Sequence, residues 1–219
     1  NGVPATAVNG EGAGPYVFTV ADPGLGAVTV VLDGTGIADL QGTPFAGDSW
    51  LYFYSLPRIV LNEIHYHPAA SAVAAGEDPE RLQFVELHNA EATPVDLSGY
   101  AFGKGVNLVF PAGTVLQGGS FLVLARDAAF LASKVTIPAS ALLVQWTDGA
   151  LSNGGETLQL WDPYGQLIDQ VTYDDAGDWT DAPDGGGPSL ELVHPGLDNA
   201  AAGAWKASSF INGTPGAAN

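Results

Sequence analysis

Apolar residues along the chain fall in short runs separated by Gly, Pro, Asn and Asp clusters, and hardly any window repeats at the i, i+3, i+4, i+7 spacing of a helix. This pattern predicts an all-β fold. In the first quarter, strands are expected at 16–20, 27–33 and 50–55, with Gly-rich turns between them. Further strands are expected at 59–67, 82–89, 107–110, 120–125, 142–146, 157–161, 167–173 and 189–193. The one helical candidate is 126–134 (RDAAFLASK), where Asp127 can cap a short Ala- and Leu-rich turn. Asp162-Pro163-Tyr164-Gly165 predicts a hairpin turn. Leu56-Pro57 marks a break, because Pro cannot donate a ladder hydrogen bond. The boundary divides the chain into 1–57 and 58–219.

Composition sharpens this picture. Of 219 residues, 29 are Gly and 15 are Pro, and only 14% are charged, which suits many short strands joined by turns. Six basic residues against 24 acidic ones give a net charge of -18, so the surface repels phosphate backbones and anionic lipid headgroups. Nucleic acid is therefore not an expected partner. Unpaired carboxylates suit a medium rich in salt or divalent cations, or simply keep the chain in solution. The absence of Cys removes disulfides, thiol chemistry and thiolate metal sites. With no Met, the chain is expected to be a fragment or a processed product. It contains no run of 18 apolar residues and no signal peptide, so membrane insertion is not expected and any export signal lies upstream.

The first segment has three or four strands, about half a sandwich, and such an apolar sheet face needs a second layer. Its runs "GAGPYVFTV", "GAVTVVLDGTGIADLQGTPF" and "SWLYFYS" resemble the C-terminal half of bacterial extracellular immunoglobulin-like repeats, over about residues 3 to 55. From residue 58 onward, "IVLNEIHYHP", "FVELHNAEATPVDLSGYAF", "FPAGTVLQGGSFLVLA", "LSNGGETLQLWDPYGQLIDQVTY" and "DGGGPSLELV" follow one another in the order and spacing of the lamin-tail (lamin immunoglobulin-like) domain. The closing "HPGLDNAAAGAWKASSFINGTPGAAN" resembles the tail of its bacterial members, so coverage runs to about residue 216. The resemblance implies an immunoglobulin-like β-sandwich without catalytic apparatus, an accessory module of a larger secreted or surface protein. It does not imply an intermediate filament, since no heptad rod occurs.

Three groups of residues carry candidate chemistry. His65 and His67 lie two apart on a strand, as does Glu63, and so share a face from which one metal can be reached. Pairing with strand 82–89 would let Glu86 or His88 complete a site for zinc or a similar ion, and a metal-bound water would then point to a hydrolase. The plainer alternative is a pair of strand-end histidines hydrogen-bonded to the backbone or to Glu63. Second, Asp174, Asp175, Asp178, Asp181 and Asp184 form a Gly-rich acidic loop that can offer oxygens to calcium, though its spacing is not that of an EF-hand. The alternative is a solvated loop with Trp179 packed on the sandwich. Third, Trp146, Trp161, Trp179 and Trp205 with Tyr164 can form a sugar-stacking platform, of which Trp146, Trp179 and Tyr164 are the principal candidates. Trp161 alternates with Leu160, so at least one of that pair is core.

No nucleophile elbow surrounds Ser152 or Ser189, and no Gly-rich phosphate loop with a Lys occurs. The expectation is a non-catalytic structural or interaction module at the cell exterior, with a protein or polysaccharide partner, possible calcium and possible self-association. A carbohydrate-binding module is one alternative, and a metal hydrolase at His65 and His67 another.

Overall fold

A computed structural model describes residues 2–12, 15–21 and 25–219 of the chain. The chain divides into two compact units, Asn1–Leu56 and Pro57–Asn219.

In the first unit, β1 (Ala7–Asn9) pairs with β2 (Val17–Thr19), and β3 (Gly26–Leu32) pairs with β4 (Asp48–Tyr54). Each pair is an antiparallel hairpin forming its own two-stranded sheet. β3 alternates half-buried and exposed positions, as a strand with one favoured face should. No described residue of this unit is fully buried, and Val17, Phe18, Val31, Trp50 and Leu51 are exposed. The unit has the expected strands but no core of its own among the described residues.

The second unit contains β5 (Ile59–His65), β6 (Phe84–Asn89), β7 (Val95–Asp96), β8 (Ala101–Phe102), β9 (Val106–Val109), β10 (Val115–Leu116), β11 (Phe121–Ala125), α1 (Ala128–Lys134), β12 (Leu142–Gln145), β13 (Asp148–Gly149), β14 (Glu156–Trp161), β15 (Leu167–Tyr173), β16 (Pro188–Leu192) and β17 (Trp205–Ile211). A six-stranded sheet runs β12-β11-β6-β5-β16-β17, and a five-stranded sheet runs β13-β9-β8-β14-β15. Apolar residues of alternating parity on both sheets, among them Leu61, Ile64, Val85, Leu87, Leu158, Leu160, Val171 and Leu190, pack into one core between them. This is an immunoglobulin-like β-sandwich.

The six-stranded sheet also uses its outer face. β11 and β12 run parallel, a pairing that needs a crossover, and α1 supplies it. The Asp127 side chain accepts a hydrogen bond from the Phe130 backbone N–H at 2.9 Å, the N-cap expected from the sequence. Arg81 pairs with Asp127 at 2.8 Å and lies over the Phe130 ring. Phe130 and Leu131 then cover Phe84, Val123 and Ala125 as a second, smaller apolar cluster.

The short strands β1, β7, β8, β10 and β13 lie outside the strands expected from the sequence, and the six-stranded sheet differs from the expected pattern in two further features. Trp205–Ile211, within the segment set apart as a closing tail, is the edge strand β17, paired on one side only to β16. Its lysine and serines suit an edge, which needs few apolar residues and so leaves a weak signature. β5 carries a bulge between Leu61 and Glu63, which flips the parity of everything after it.

Candidate functional site

The bulge aligns an unexpected set of carboxylates. Glu63 stands directly opposite Glu86 on one neighbouring strand and Glu191 on the other, so three glutamates form a row across the outer face of the six-stranded sheet. All three are buried. Their roof is the segment after β17. Glu63 Oε1 accepts from the Thr214 N–H at 2.9 Å and from Ser189 Oγ at 2.5 Å. Glu86 accepts from the Gly216 N–H at 2.6 Å and from the bulged Asn62 side chain at 2.8 Å. Glu191 accepts from Thr214 Oγ1 at 3.1 Å and pairs with Lys206 Nζ at 3.0 Å. The Asn219 amide donates to the carbonyls of Asn62 and Leu192 at 2.8 and 3.0 Å.

Backbone conformation allows this fit. Asn212 and Gly213 have φ of 63° and 71°, and a Cβ on Gly213 would overlap the Glu63 carboxylate and the Ser189 side chain. Burial pushes the Glu63 carboxyl up to about 8, against the Ser189 and Thr214 hydrogen bonds and with the Glu191 charge adding to the rise. Burial and then the Glu63 charge raise Glu86 well above the usual range. The row is a clasp that fixes the chain's last residues to the sheet.

The proposed histidine site is not assembled. His65 does share the outer face with Glu63, but its ring is fully buried against Phe84 at 5.5 Å between centroids. Burial pushes its pKa down to about 4, with smaller opposing effects from Asn212 and the Pro188 backbone. His67 lies past the end of β5, where its Nδ1 meets Asp184 Oδ1 at 2.5 Å. His88 stacks on Phe121 at 4.6 Å, and burial lowers its pKa. Among the described residues no three His, Asp, Glu or Cys side chains are gathered so as to hold one ion.

That finding also covers the acidic loop, where Asp174, Asp175, Asp178, Asp181 and Asp184 are spread over successive turns. Asp174 accepts from the N–H of Ala176, two residues on, and Asp184 is taken by His67. The aromatic trio separates as well. Trp146 is core, 4% exposed, with its indole N–H on the Gly149 carbonyl. Trp179 is half-buried against Trp205, and only Tyr164, in the β14–β15 turn, stands free at 69% exposure.

What is displayed is the outer face of the five-stranded sheet. Leu158 and Leu160 enter the core, so Thr157, Gln159 and Trp161 face outward from β14. Register places Gln170 and Thr172 of β15 opposite Gln159 and Thr157, and places Leu167 opposite Trp161. On the other side Trp161 meets Ala101, which pairs with Val109, 65% exposed. The Thr157 and Thr172 hydroxyls are 2.8 Å apart, and Gln159 Nε2 donates to Gln170 Oε1 at 2.5 Å. Of the outward positions on these strands, only Asp148 at the β13 edge is charged. The alternation T-L-Q-L-W signals this face in the sequence, but the depth of Trp161 depends on what covers it.

A family comparison fits this architecture. The model of the lamin tail domain matches residues 54–175. The chain belongs to the lamin tail domain family. No curated protein matches it. Lamin tail domains are non-catalytic immunoglobulin-like domains, in keeping with a structural or interaction module. Within this lamin tail domain the match spans β5 to β15 and includes Glu63 and Glu86, while β16 with Glu191, β17 and the closing segment that roofs the row lie beyond it in the same compact unit.

Proposed function

We propose that the chain is an interaction module of a larger protein at the cell exterior, serving adhesion or assembly through the outer face of its five-stranded sheet. The observation that carries this reading is the uncharged, laterally continuous surface from Val109 through Trp161 to Thr172, on a chain of net charge -18. A sheet face whose charges have been replaced by amides, hydroxyls and apolar groups is cheap to desolvate, which suits contact. The exterior placement is supported by the carboxylate surplus and by the likeness of the closing segment to the tail of the family's bacterial members. On the opposite sheet, Glu63 Oε1 and Glu86 Oε2 hold the closing segment in place.

Beads coated with the chain, presented to immobilised extracellular proteins and polysaccharides, test the proposal. Attachment is expected, and Leu167→Glu with Gln170→Glu, which adds two charges at exposed positions, should reduce it several-fold. No attachment to any surface, or attachment indifferent to these charges, would overturn it.

A further inference from the structure

We propose that this same face, centred on Trp161, binds a neutral polysaccharide. The proposal rests on the interaction reading above and names its partner class.

The face is organised in strips. Val109, Ala101, Trp161 and Leu167 make one apolar row across four strands by direct register. The Gln159–Gln170 pair is one step along the strands, two residues or roughly 7 Å away, and the Thr157–Thr172 pair is one step further. A neutral sugar chain has the matching chemistry, with C–H patches on its ring faces and hydroxyls along its edges. The indole of Trp161 is half-buried within this row, and an aromatic ring is the side-chain type that stacks on the C–H faces of sugars. Each glutamine amide, after the bond between them, keeps donor and acceptor capacity for hydroxyls. That mutual bond also holds both side chains in place before a ligand arrives, which lessens the ordering cost of binding.

Charge narrows the choice of partner. Polyanions are repelled by the net charge of -18, and a second copy would bring another -18 against the first. A basic protein would be drawn to the carboxylates elsewhere rather than to this neutral strip. A neutral, hydroxyl-rich polymer meets no electrostatic penalty here.

Native electrophoresis in gels containing neutral glucans, mannans, galactans or xylans gives the test, since an acidic chain migrates readily unless retained. At least one polymer should retard the chain. Trp161→Ala should weaken that retardation about tenfold, the size of one lost aromatic contact. Gln159→Ala with Gln170→Ala, which removes the amide strip but leaves the indole, should weaken it as well. Phe210→Ser, at the exposed edge of the other sheet, should leave it unchanged. If Trp161→Ala does not fold by circular dichroism, the glutamine pair decides alone. No retardation by any polymer, or retardation indifferent to the face variants, overturns the proposal. Concentration-dependent dimerisation abolished by Leu167→Glu with Gln170→Glu would assign the face to a second copy and overturn it too. If the coated beads attach to protein surfaces through this face while no polymer retards the chain, only the polysaccharide assignment fails.

Discussion

The two sheets of the sandwich share one core but treat their outer faces in opposite ways. The six-stranded sheet is roofed by α1 and by the segment running from Asn212 to the end of the chain, and its outward glutamates are buried and hydrogen-bonded. The five-stranded sheet leaves Val109, Gln170 and Thr172 in solvent and carries hardly any charge. Alternation along a strand thus tells which residues leave the core, but not whether they reach water. A roofed face incurs a penalty for each polar group that it buries without a partner, as at Glu63 Oε2 and the His65 ring, whereas a bare face can keep side chains whose bonding capacity remains available to a partner.

Breaking the roof should cost most. Gly213→Val combines a β-branched residue at positive φ with overlap onto Glu63 and Ser189, and should destabilise the second unit by about 3 kcal/mol in denaturant melts. A loss below about 0.5 kcal/mol would mean that the closing segment lifts freely from the sheet.

The pH dependence comes next. Glu63 holds its proton more tightly folded than unfolded, so its contribution is complete below about 4.5 and is lost as the pH climbs toward about 8. The melting midpoint should therefore fall over that window. Glu63→Gln, which keeps the shape and has no proton to lose, should make the profile shallower, with burial of Glu86 keeping part of the slope, and be the more stable form at pH 8. Falling net repulsion at lower pH acts in the same direction, so the difference between the two proteins is the informative quantity. Parallel profiles would remove Glu63 from the account.

Asp127→Ala should cost about 1 kcal/mol through loss of the α1 cap, read from the same melts. The smallest effect belongs to the bare face: Gln159→Ala should shift stability by less than about 0.5 kcal/mol, since its side chain points away from the core and bonds one amide. A large shift there would show that the face is structural rather than displayed.

Much of this architecture was legible in the sequence. The β15 bounds, the Asp127 cap and the break at Leu56-Pro57 follow from local chemistry that acts within a few residues. The glutamate row was not legible, because it joins positions 63, 86 and 191 through strand order and through a bulge that shifts register by one residue. The aromatic candidates erred for a similar reason. Trp146 directly follows β12 and Trp161 ends β14, yet one closes the core and the other faces outward, a distinction set by neighbouring elements rather than by spacing. His65 and His67 fell apart because the strand ends between them, leaving the second histidine to Asp184.

The position of β16 beside β5 has a consequence for how the protein is made. β5 opens the second unit, yet it gains its second neighbour only when residues 188–192 arrive. Until then, a growing chain that has already emitted the whole family-matched stretch from 54 to 175 exposes one flank of its central strand, with Ile64 uncovered on that side. Such an open edge invites pairing with another chain. Synthesis should therefore yield a sound domain only once β16 has left the ribosome, and a product truncated at residue 175 should aggregate rather than fold.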